Sequence, residues 1–383
     1  MTMRLLIVST LDSKEPFGAF TRPFYLGLYL SKQFDVCQLG LDCSAVHYGK
    51  AVSVGSRGLG AYLRALRQCV ADFQPDIIYA QETLPGVAAL LASKLGFAQR
   101  PALVFDFHTL SAFEYWTRLP AAPNRLQALK QLTKTYVAQG SLVLSGRPII
   151  AAGTPVAEGI AAWYGVSHPR VHSVGNGVPE DLLTFAGADD PYQRLRPAKV
   201  AAVIAPKTFQ FPSNDMSVDM TVAIAKRLAA HKETIQFVVI GRDADNLSEP
   251  LPDNLSFAGF LPSRRDFLAH LHHADVGLLP FPKAAVAGGA RNKALDYLAC
   301  QKLVISTPEG MRGLEAFEPG QHLLVSADSA EAMAETLLAT CQNFEDYRPL
   351  AETAFQLVKR EYSWQAMAEK VAVILKTAAD RSV

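Results

Sequence analysis

One segment in the last third of the chain, GGARNKALDYLACQKLVIST, places two glycines, a lysine and an aspartate within nine residues. Gly288 and Gly289 allow the backbone to approach a ligand closely, and the first N–H groups of the helix that follows favour an anion. Lys293 or Arg291 can neutralise a diphosphate at that place. Asp296, one turn into the helix, can accept hydrogen bonds from two neighbouring ribose hydroxyls. The segment therefore predicts a nucleotide diphosphate site.

The predicted helix has two different faces. At 100° per residue, Lys293, Asp296, Tyr297 and Cys300 fall on one face. The opposite face is apolar and consists of Ala294, Leu295, Leu298 and Ala299. We expect the apolar face to pack inward and the cation, the carboxylate and the phenol to face the ligand. The alternative is an exposed Lys293–Asp296 ion pair worth a few tenths of a kcal/mol, but the flanking glycines and the apolar run that follows favour the ligand.

The elements that must position these residues are visible as short apolar runs that alternate with helix-like stretches. In the first half the runs are Leu5–Ser9, Asp35–Leu39, Asp76–Tyr79 and Ala102–Phe105. After residue 180 the pattern restarts with Val200–Ile204, Phe237–Ile240, Val276–Leu279, Leu303–Ile305 and Leu323–Val325. Continuous apolar runs of this kind predict strands buried on both faces of parallel sheets.

This alternation predicts an α/β protein with two doubly wound, Rossmann-like domains that face each other across a cleft. We place the first domain at residues 1–182 and the second at 183–362. Residues 363–383 predict a C-terminal helix that packs back on the first domain. The segment 179–197 is rich in Asp, Pro and Gly without apolar periodicity, and we interpret it as the linker.

The composition restricts the class of protein. Of the 383 residues, 49% are hydrophobic and 19% charged, and the formal net charge is +1, so no global attraction to nucleic acid is expected. The apolar run at the N-terminus is too short for a signal peptide, and no apolar stretch is long enough to span a membrane. The five cysteines are scattered without a C-x-x-C pair, which predicts reduced thiols and no zinc site. We therefore expect a cytoplasmic protein.

Several motifs, taken in order, resemble one enzyme family. NKALDYLACQKLVIST resembles the donor-binding segment of retaining, two-domain glycosyltransferases of the GT-B fold, of the group 1 or family 4 kind. HSVGNGVPEDL resembles their turn into the linker, and FDFHTLSAFEYW resembles the Asp-x-His loop of their first domain. VVIGRD and NLSFAGFLPSRRDFLAHLHHADVGLLPF resemble the segments around the nucleotide base. The resemblance implies an acceptor-side first domain and a second domain that binds a nucleotide sugar.

The resemblance also implies roles for individual residues. His108 would contact the donor sugar, and Lys207 stands near the place of a cation in the family, so His108, Lys207 and Lys293 are the predicted catalytic residues. Gly18 follows the first strand, where its backbone could approach the diphosphate or the acceptor. The full set predicted to bind the nucleotide sugar is Gly18, Gly241, Phe260, Gly288, Gly289, Arg291, Lys293 and Asp296.

One departure from the family concerns the donor sugar. Many relatives carry two glutamates spaced E-x7-E, and the matching positions here are Gly288 and Asp296. Asp296 can still bind a ribose, but the glutamate that contacts the sugar hydroxyls in the family is missing. The identity of the donor sugar therefore stays open.

The reaction implied by the resemblance moves a sugar from a nucleotide diphosphate sugar to a hydroxyl of a glycan, glycolipid or small glycoside, with retention and without a metal or other cofactor. Two alternatives have the same architecture: a sugar-nucleotide epimerase and a non-catalytic nucleotide-sugar-binding protein. A nicotinamide-dependent dehydrogenase is disfavoured because GSRGLG is not the G-x-G-x-x-G fingerprint. Asp243 and Asp245 mimic an Asp-x-Asp metal motif, but we interpret them as surface residues.

A basic stretch in the first half predicts a further partner. No acidic residue occurs from Tyr115 to Ala157, whereas five basic residues do: Arg118, Arg125, Lys130, Lys134 and Arg147. A solvated basic helix is one interpretation. The other is a surface that meets anionic lipid headgroups at the inner face of the membrane, or a lipid-linked acceptor.

Overall fold

The computed structural model describes residues 2–14, 20–96, 100–207, 212–244, 250–286, 289 and 291–381. The chain forms two compact units. The first comprises Met1–Gly177, Gly288–Ala290 and Trp364–Val383, and the second comprises Val178–Ala287 and Arg291–Ser363. Our sequence-based boundary at residue 182 lies a few residues beyond the start of the second unit.

The first unit is built on a sheet of seven parallel strands in the order β3-β2-β1-β4-β5-β6-β7. The strands are β1 Arg4–Val8, β2 Asp35–Gly40, β3 Lys50–Ser53, β4 Ile77–Gln81, β5 Ala102–Phe107, β6 Ile149–Ala151 and β7 Val171–Ser173. The helices are α1 Thr21–Leu30, α2 Leu59–Phe73, α3 Thr83–Lys94, α4 Ser111–Arg118, α5 Arg125–Val143, α6 Thr154–Tyr164 and, from the end of the chain, α13 Trp364–Asp380. Because its central strands are apolar throughout, the sheet is covered on both faces.

The C-terminal helix α13 belongs to this first unit, as predicted. Trp364, Val371 and Leu375 are buried with residues of α1 and the central strands in one cluster. The indole of Trp364 stacks on Tyr25 of α1, with ring centroids 5.7 Å apart. An apolar stripe at helical spacing therefore completes one face of the first sheet.

The second unit repeats the architecture with a sheet of six parallel strands in the order β10-β9-β8-β11-β12-β13. The strands are β8 Lys199–Ile204, β9 Ile235–Ile240, β10 Leu255–Gly259, β11 Val276–Leu279, β12 Leu303–Ser306 and β13 Leu324–Val325. The helices are α7 Glu180–Thr184, α8 Pro212–Arg227, α9 Arg264–His273, α10 Asn292–Ala299, α11 Ala330–Gln342 and α12 Phe344–Glu361. Two parallel α/β sheets confirm the predicted fold class.

The segment interpreted as the linker belongs to the second unit and contains secondary structure. It contains α7 and a short 3₁₀ turn at Gln193–Leu195. Leu182 and Tyr192 are each about 2% exposed or less and lie in the second core. Leu183, Phe185 and Leu195 pack against the same core, and these scattered apolar residues carry no periodicity that the sequence could have revealed.

Among the described residues, no helix combines the length and the apolar character needed to cross a membrane.

Candidate functional site

The predicted lysine lies in a defined position in the second unit. Lys293, in the first turn of α10, donates a hydrogen bond from Nζ to Asn214 Oδ1 at 2.6 Å, and its Nζ lies 5.2 Å from the ring centroid of Phe281. Asn214, in the first turn of α8, is buried and donates from Nδ2 to the carbonyl oxygen of Pro206 at 2.9 Å. The Lys293 side chain thus lies beside the loops that follow β8 and β11.

The electrostatics of α10 suit an anionic ligand. The pKa of Lys293 is lowered to about 7, first by burial and then by the nearby charges of Arg291 and Arg242. Burial raises the pKa of Asp296 to about 6, against the opposing charges of Arg264 and Lys293. The helix begins after Arg291, whose side chain does not cap it. A diphosphate placed at this end would restore the charge of the lysine and meet the first N–H groups of the helix.

A second cation, which the sequence analysis did not select, lies at the end of the neighbouring strand. Arg242 follows β9 and donates from Nε to the carbonyl oxygen of Ala205 at 2.6 Å. Its Nη1 forms an ion pair with Asp215 Oδ1 at 2.6 Å. Arg242 also lowers the pKa of Lys293, so the two cations are close enough to interact. Arg242 could have been selected from the sequence, because it lies two residues after the apolar run of β9. Asn214, in PSND, follows no such run.

Tyr297 and Cys300 do not face the ligand, and this part of the prediction is wrong. Both residues are buried, and the Tyr297 hydroxyl accepts a hydrogen bond from the Ile204 N–H at 2.7 Å and donates to the Ala202 carbonyl oxygen at 3.0 Å. The ring fits there because β11 has a glycine beneath it: a Cβ on Gly277 would lie 2.3 Å from Tyr297 Cγ. The helical wheel assumed one buried face, whereas α10 packs against the sheet on one side and α12 on the other.

Arg291 is already paired within the second unit. Its side chain is buried, its Nη2 lies 3.2 Å from Glu309 Oε1, and its guanidinium carbon lies 3.6 Å from the ring centroid of Phe281. Burial lowers the pKa of Arg291 to about 10, although Glu309 opposes the shift. These contacts fix the backbone before α10. A role for Arg291 in neutralising phosphate stays a prediction.

The other residues predicted for the second unit lie at strand ends. Lys207 follows β8 and is exposed, and its N–H donates to the carbonyl oxygen of Gly241 at 3.4 Å. Gly241 follows β9 with φ of 103°, and a Cβ there would lie 3.0 Å from Pro206 Cα, so glycine is required. Phe260, after β10, is 62% exposed. The structure therefore brings Lys207 and Gly241 together beside the segment that holds Asn214.

The remaining predicted residues belong to the first unit or are not described. His108 directly follows β5, and its ring nitrogens lie 3.1 Å from Gln81 Oε1 and 3.4 Å from Glu82 Oε1. A Cβ on Gly289 would lie 3.1 Å from the carbonyl oxygen of His108, so a side chain at this position would require a small backbone shift. Gly18, Gly288 and Asp245 lie outside the described residues.

Each half of the chain matches a family of known proteins. Residues 46–182 match the family described as Glycosyltransferase Family 4, and residues 209–343 match the family described as Glycosyl transferases group 1. No curated protein sequence matches the chain.

Solved structures share the whole fold. Sucrose-phosphate synthase from Thermosynechococcus elongatus is 14% identical with a TM-score of 0.73, and the match covers 98% of this chain and 99% of that one. A glycosyltransferase from Rickettsia africae is 15% identical with a TM-score of 0.71, with 98% of each chain covered. Anabaena HepE is 14% identical with a TM-score of 0.70, with 98% of this chain and all of that chain covered.

The fold, together with a glycosyltransferase family match in each half of the chain, defines a two-domain enzyme of the GT-B class. The chain is a glycosyltransferase, and its residues 209–343 match group 1. The comparisons do not favour the epimerase or the non-catalytic binding protein that share this architecture.

Proposed function

We propose that the enzyme transfers a sugar from a nucleotide diphosphate sugar to an acceptor hydroxyl with retention at the anomeric carbon, and that the nucleotide binds the second unit. The observation that carries the proposal is Lys293, whose pKa is lowered to about 7, at the start of a helix that has Asp296 one turn further on. The structures of Anabaena HepE with UDP and with UDP-glucose support this choice of donor.

Each residue of α10 has a distinct role in this proposal. Lys293 neutralises the diphosphate, and the N–H groups of the first helical turn add hydrogen bonds to phosphate oxygens. Asp296 accepts hydrogen bonds from the two ribose hydroxyls. Arg242 and Lys207, at the ends of β9 and β8, increase the positive potential on the side where the leaving group acquires charge.

In the chemical step, the bond between the anomeric carbon and the diphosphate oxygen breaks through an oxocarbenium-like transition state. The acceptor oxygen forms its bond to the same face of the sugar, and its proton passes to the departing phosphate oxygen. Negative charge grows on the diphosphate, so fixed cations stabilise the transition state more than the ground state. No protein base and no metal is required by this route, and the absence of a cofactor stays a prediction.

The test is a thermal-shift screen of nucleoside diphosphates and nucleotide sugars against the whole enzyme. A donor present at 100 times its Kd stabilises the folded state by about 2.7 kcal/mol. We expect a diphosphate of one base to raise Tm by a few degrees and the matching monophosphate to raise it less, because Lys293 would contact the outer phosphate. Equal shifts with the nucleoside alone would contradict the assignment of Lys293.

We also propose that the first unit contacts an anionic membrane, where a lipid-linked acceptor would be found. Three residues of the basic stretch, Arg125, Lys130 and Lys134, are exposed on α5, and the same helix exposes the apolar residues Leu126, Leu129 and Val137, with the exposed Leu144 directly after it. Leu126 is 80% exposed and Val137 62%. At 100° per residue, Lys130 and Lys134 border these apolar residues. Apolar residues flanked by lysines are typical of helices that lie in the interface of an anionic bilayer.

We expect the enzyme to sediment with vesicles containing anionic phospholipid at low salt and to dissociate as the salt concentration rises. The double variant Lys130→Glu, Lys134→Glu should bind at least roughly tenfold more weakly, because each basic residue contributes about 1 kcal/mol near the surface. Arg64→Glu, Arg67→Glu on the exposed side of α2 makes the same change of charge and is the matched control. Equal losses in both double variants would mean that only net charge matters.

A further inference from the structure

The cations near the start of α10 have different kinds of partner. Arg242 and Arg291 each form an ion pair with a carboxylate, at 2.6 and 3.2 Å respectively. Lys293 forms no ion pair with any residue that the structure describes, and its Nζ donates a hydrogen bond to Asn214 Oδ1 at 2.6 Å. A carboxylate cancels much of the charge of a cation that it contacts, whereas an amide oxygen is neutral. A protonated Lys293 therefore keeps its positive charge available for a ligand.

The amide of Asn214 has a fixed orientation. Asn214 lies in the first turn of α8 and is 6% exposed, and its Nδ2 donates to the carbonyl oxygen of Pro206 at 2.9 Å. The same carbonyl oxygen accepts a hydrogen bond from Arg242 Nη2 at 3.2 Å. Because Nδ2 is bonded to a carbonyl oxygen, Oδ1 is the atom that faces Lys293, and the two partners together define which way the amide points.

The other groups around the Lys293 ammonium mostly oppose its charge. Burial, followed by the charges of Arg291 and Arg242, lowers the pKa of Lys293 to about 7, and Asp296 acts in the opposite direction. A hydrogen bond from an ammonium to an amide oxygen favours the charged form. Asn214 therefore stabilises an ammonium at a place where burial and two neighbouring cations disfavour it.

We propose that Asn214 is a positioning residue for the transfer reaction: its amide fixes the Lys293 ammonium at the start of α10 and leaves the charge of that ammonium available for the donor phosphate. Asn214 acts through the lysine and not on the nucleotide itself. The inference rests on the proposed function, because that function places the phosphate at this helix. An aspartate at position 214 would contact the lysine equally well, but its charge would repel the phosphate.

The first test is the titration of Lys293 in the nucleotide-free enzyme, followed by NMR with ¹³C at lysine Cε; the Lys293 signal is identified by its loss in Lys293→Met. Asn214→Asp should raise the pKa of Lys293, because a carboxylate stabilises the ammonium. Asn214→Leu, of similar size, should lower it, because the acceptor is lost. Asn124→Asp makes the same change of charge at the exposed N-cap of α5 and is the matched control, which should leave this pKa unchanged.

The second test is the affinity for UDP, measured by titration calorimetry at a pH of about 7, close to the pKa of Lys293. Asn214→Asp and Asn214→Leu should each weaken UDP at least roughly tenfold, the first by cancelling the charge of the lysine and the second by releasing its side chain. In a Lys293→Met background, Asn214→Leu should change the affinity less than about twofold, because the residue acts through the lysine. Asn214→Ala, which also removes the amide, replaces either variant if that variant does not fold.

The outcomes separate this inference from the proposed function. If Lys293→Met weakens UDP but the folded Asn214 variants change neither UDP affinity nor the pKa of Lys293, the positioning role is wrong and the donor site stands. Equal losses from Asn214→Leu with Lys293 present and with Lys293→Met would make Asn214 a structural residue and would also overturn the inference. If the wild-type enzyme does not bind UDP, or Lys293→Met binds it equally well, the proposed donor site fails and the positioning role fails with it.

Discussion

Replacing Asp296 with alanine is expected to weaken the binding of a nucleoside diphosphate by roughly 1.5–3 kcal/mol, or about 10- to 150-fold, which is the range for hydrogen bonds to a charged group. The carboxyl lies one turn after Lys293, and its pKa of about 6 leaves it ionised at pH 7 or above. Two ribose hydroxyls would lose their acceptor. Titration calorimetry with the nucleotide selected by the thermal-shift screen measures the change.

Tyr297→Phe is the control, one residue further along the same helix. It removes the hydroxyl that bridges Ile204 and Ala202 and leaves the Ile204 N–H without its partner. We expect the free energy of unfolding to fall by about 1–3 kcal/mol, while nucleotide affinity changes less than twofold. The opposite pattern, with an unchanged affinity in Asp296→Ala and a large loss in Tyr297→Phe, would remove Asp296 from the site.

The affinity for a nucleoside diphosphate is expected to fall as the pH rises above about 7, and Lys293→Met should abolish this dependence. In the free enzyme the pKa of Lys293 is about 7, and a bound diphosphate raises it. Below pH 7 the lysine is charged with or without the ligand. Above pH 7 the ligand must bring a proton with it, so Kd increases by up to tenfold per pH unit until the pKa of the complex is reached. The ligand itself is fully ionised in this range, since its last pKa is about 6.

The same variant should lose activity and gain stability. Lys293→Met is expected to lower kcat/KM at least roughly tenfold, equivalent to about 1.4 kcal/mol of transition-state stabilisation. Between pH 7 and about 10.4 the unfolded chain binds more protons at this lysine than the folded chain, so the lysine destabilises the fold most at and below pH 7. Removing it should raise the free energy of unfolding at pH 7 by roughly 1 kcal/mol, a value discounted for the partial exposure of the side chain.

Denaturant unfolding at pH 7 and steady-state kinetics measure the two effects in parallel. An exposed ion pair with Asp296 would predict a stability change below about 0.5 kcal/mol and unchanged kinetics. A less stable but fully active Lys293→Met variant would make α10 a structural helix, and the anion site would then have to be sought near Lys207.

Much of the fold could be predicted because the central strands are uninterrupted apolar runs, as in β4, β5 and β9. The strands β3, β6, β7 and β10 were not predicted, since the first three have only three or four residues each and β10 is only partly buried. Short strands of this kind are defined by pairing with their neighbours, which a local pattern does not show.

The candidate site could be predicted only where its residues are close in sequence. Lys293 and Asp296 were selected because they lie close together on one short helix, and their contact with a ligand stays a prediction. Asn214 contacts Lys293, and Arg242 lies close enough to lower the pKa of Lys293, although both are tens of residues away along the chain. Glu82 meets His108 in the same way. The orientation of Tyr297 was predicted wrongly because the helical wheel assumed that one face of this eight-residue helix is exposed to solvent.

The glycine at position 277 sets a dimension of the candidate site from within the core. Because β11 has no side chain there, the Tyr297 ring lies directly on the strand and helps to set the spacing between α10 and the sheet. Any larger residue at position 277 would move α10 away from the sheet, and Lys293 and Asp296 would move with the helix. A displacement of about 1 Å in such a scaffold can cost roughly a hundredfold in rate. With the donor bound at α10 as proposed, a substitution at this core position would change donor preference without changing any residue that contacts the ligand.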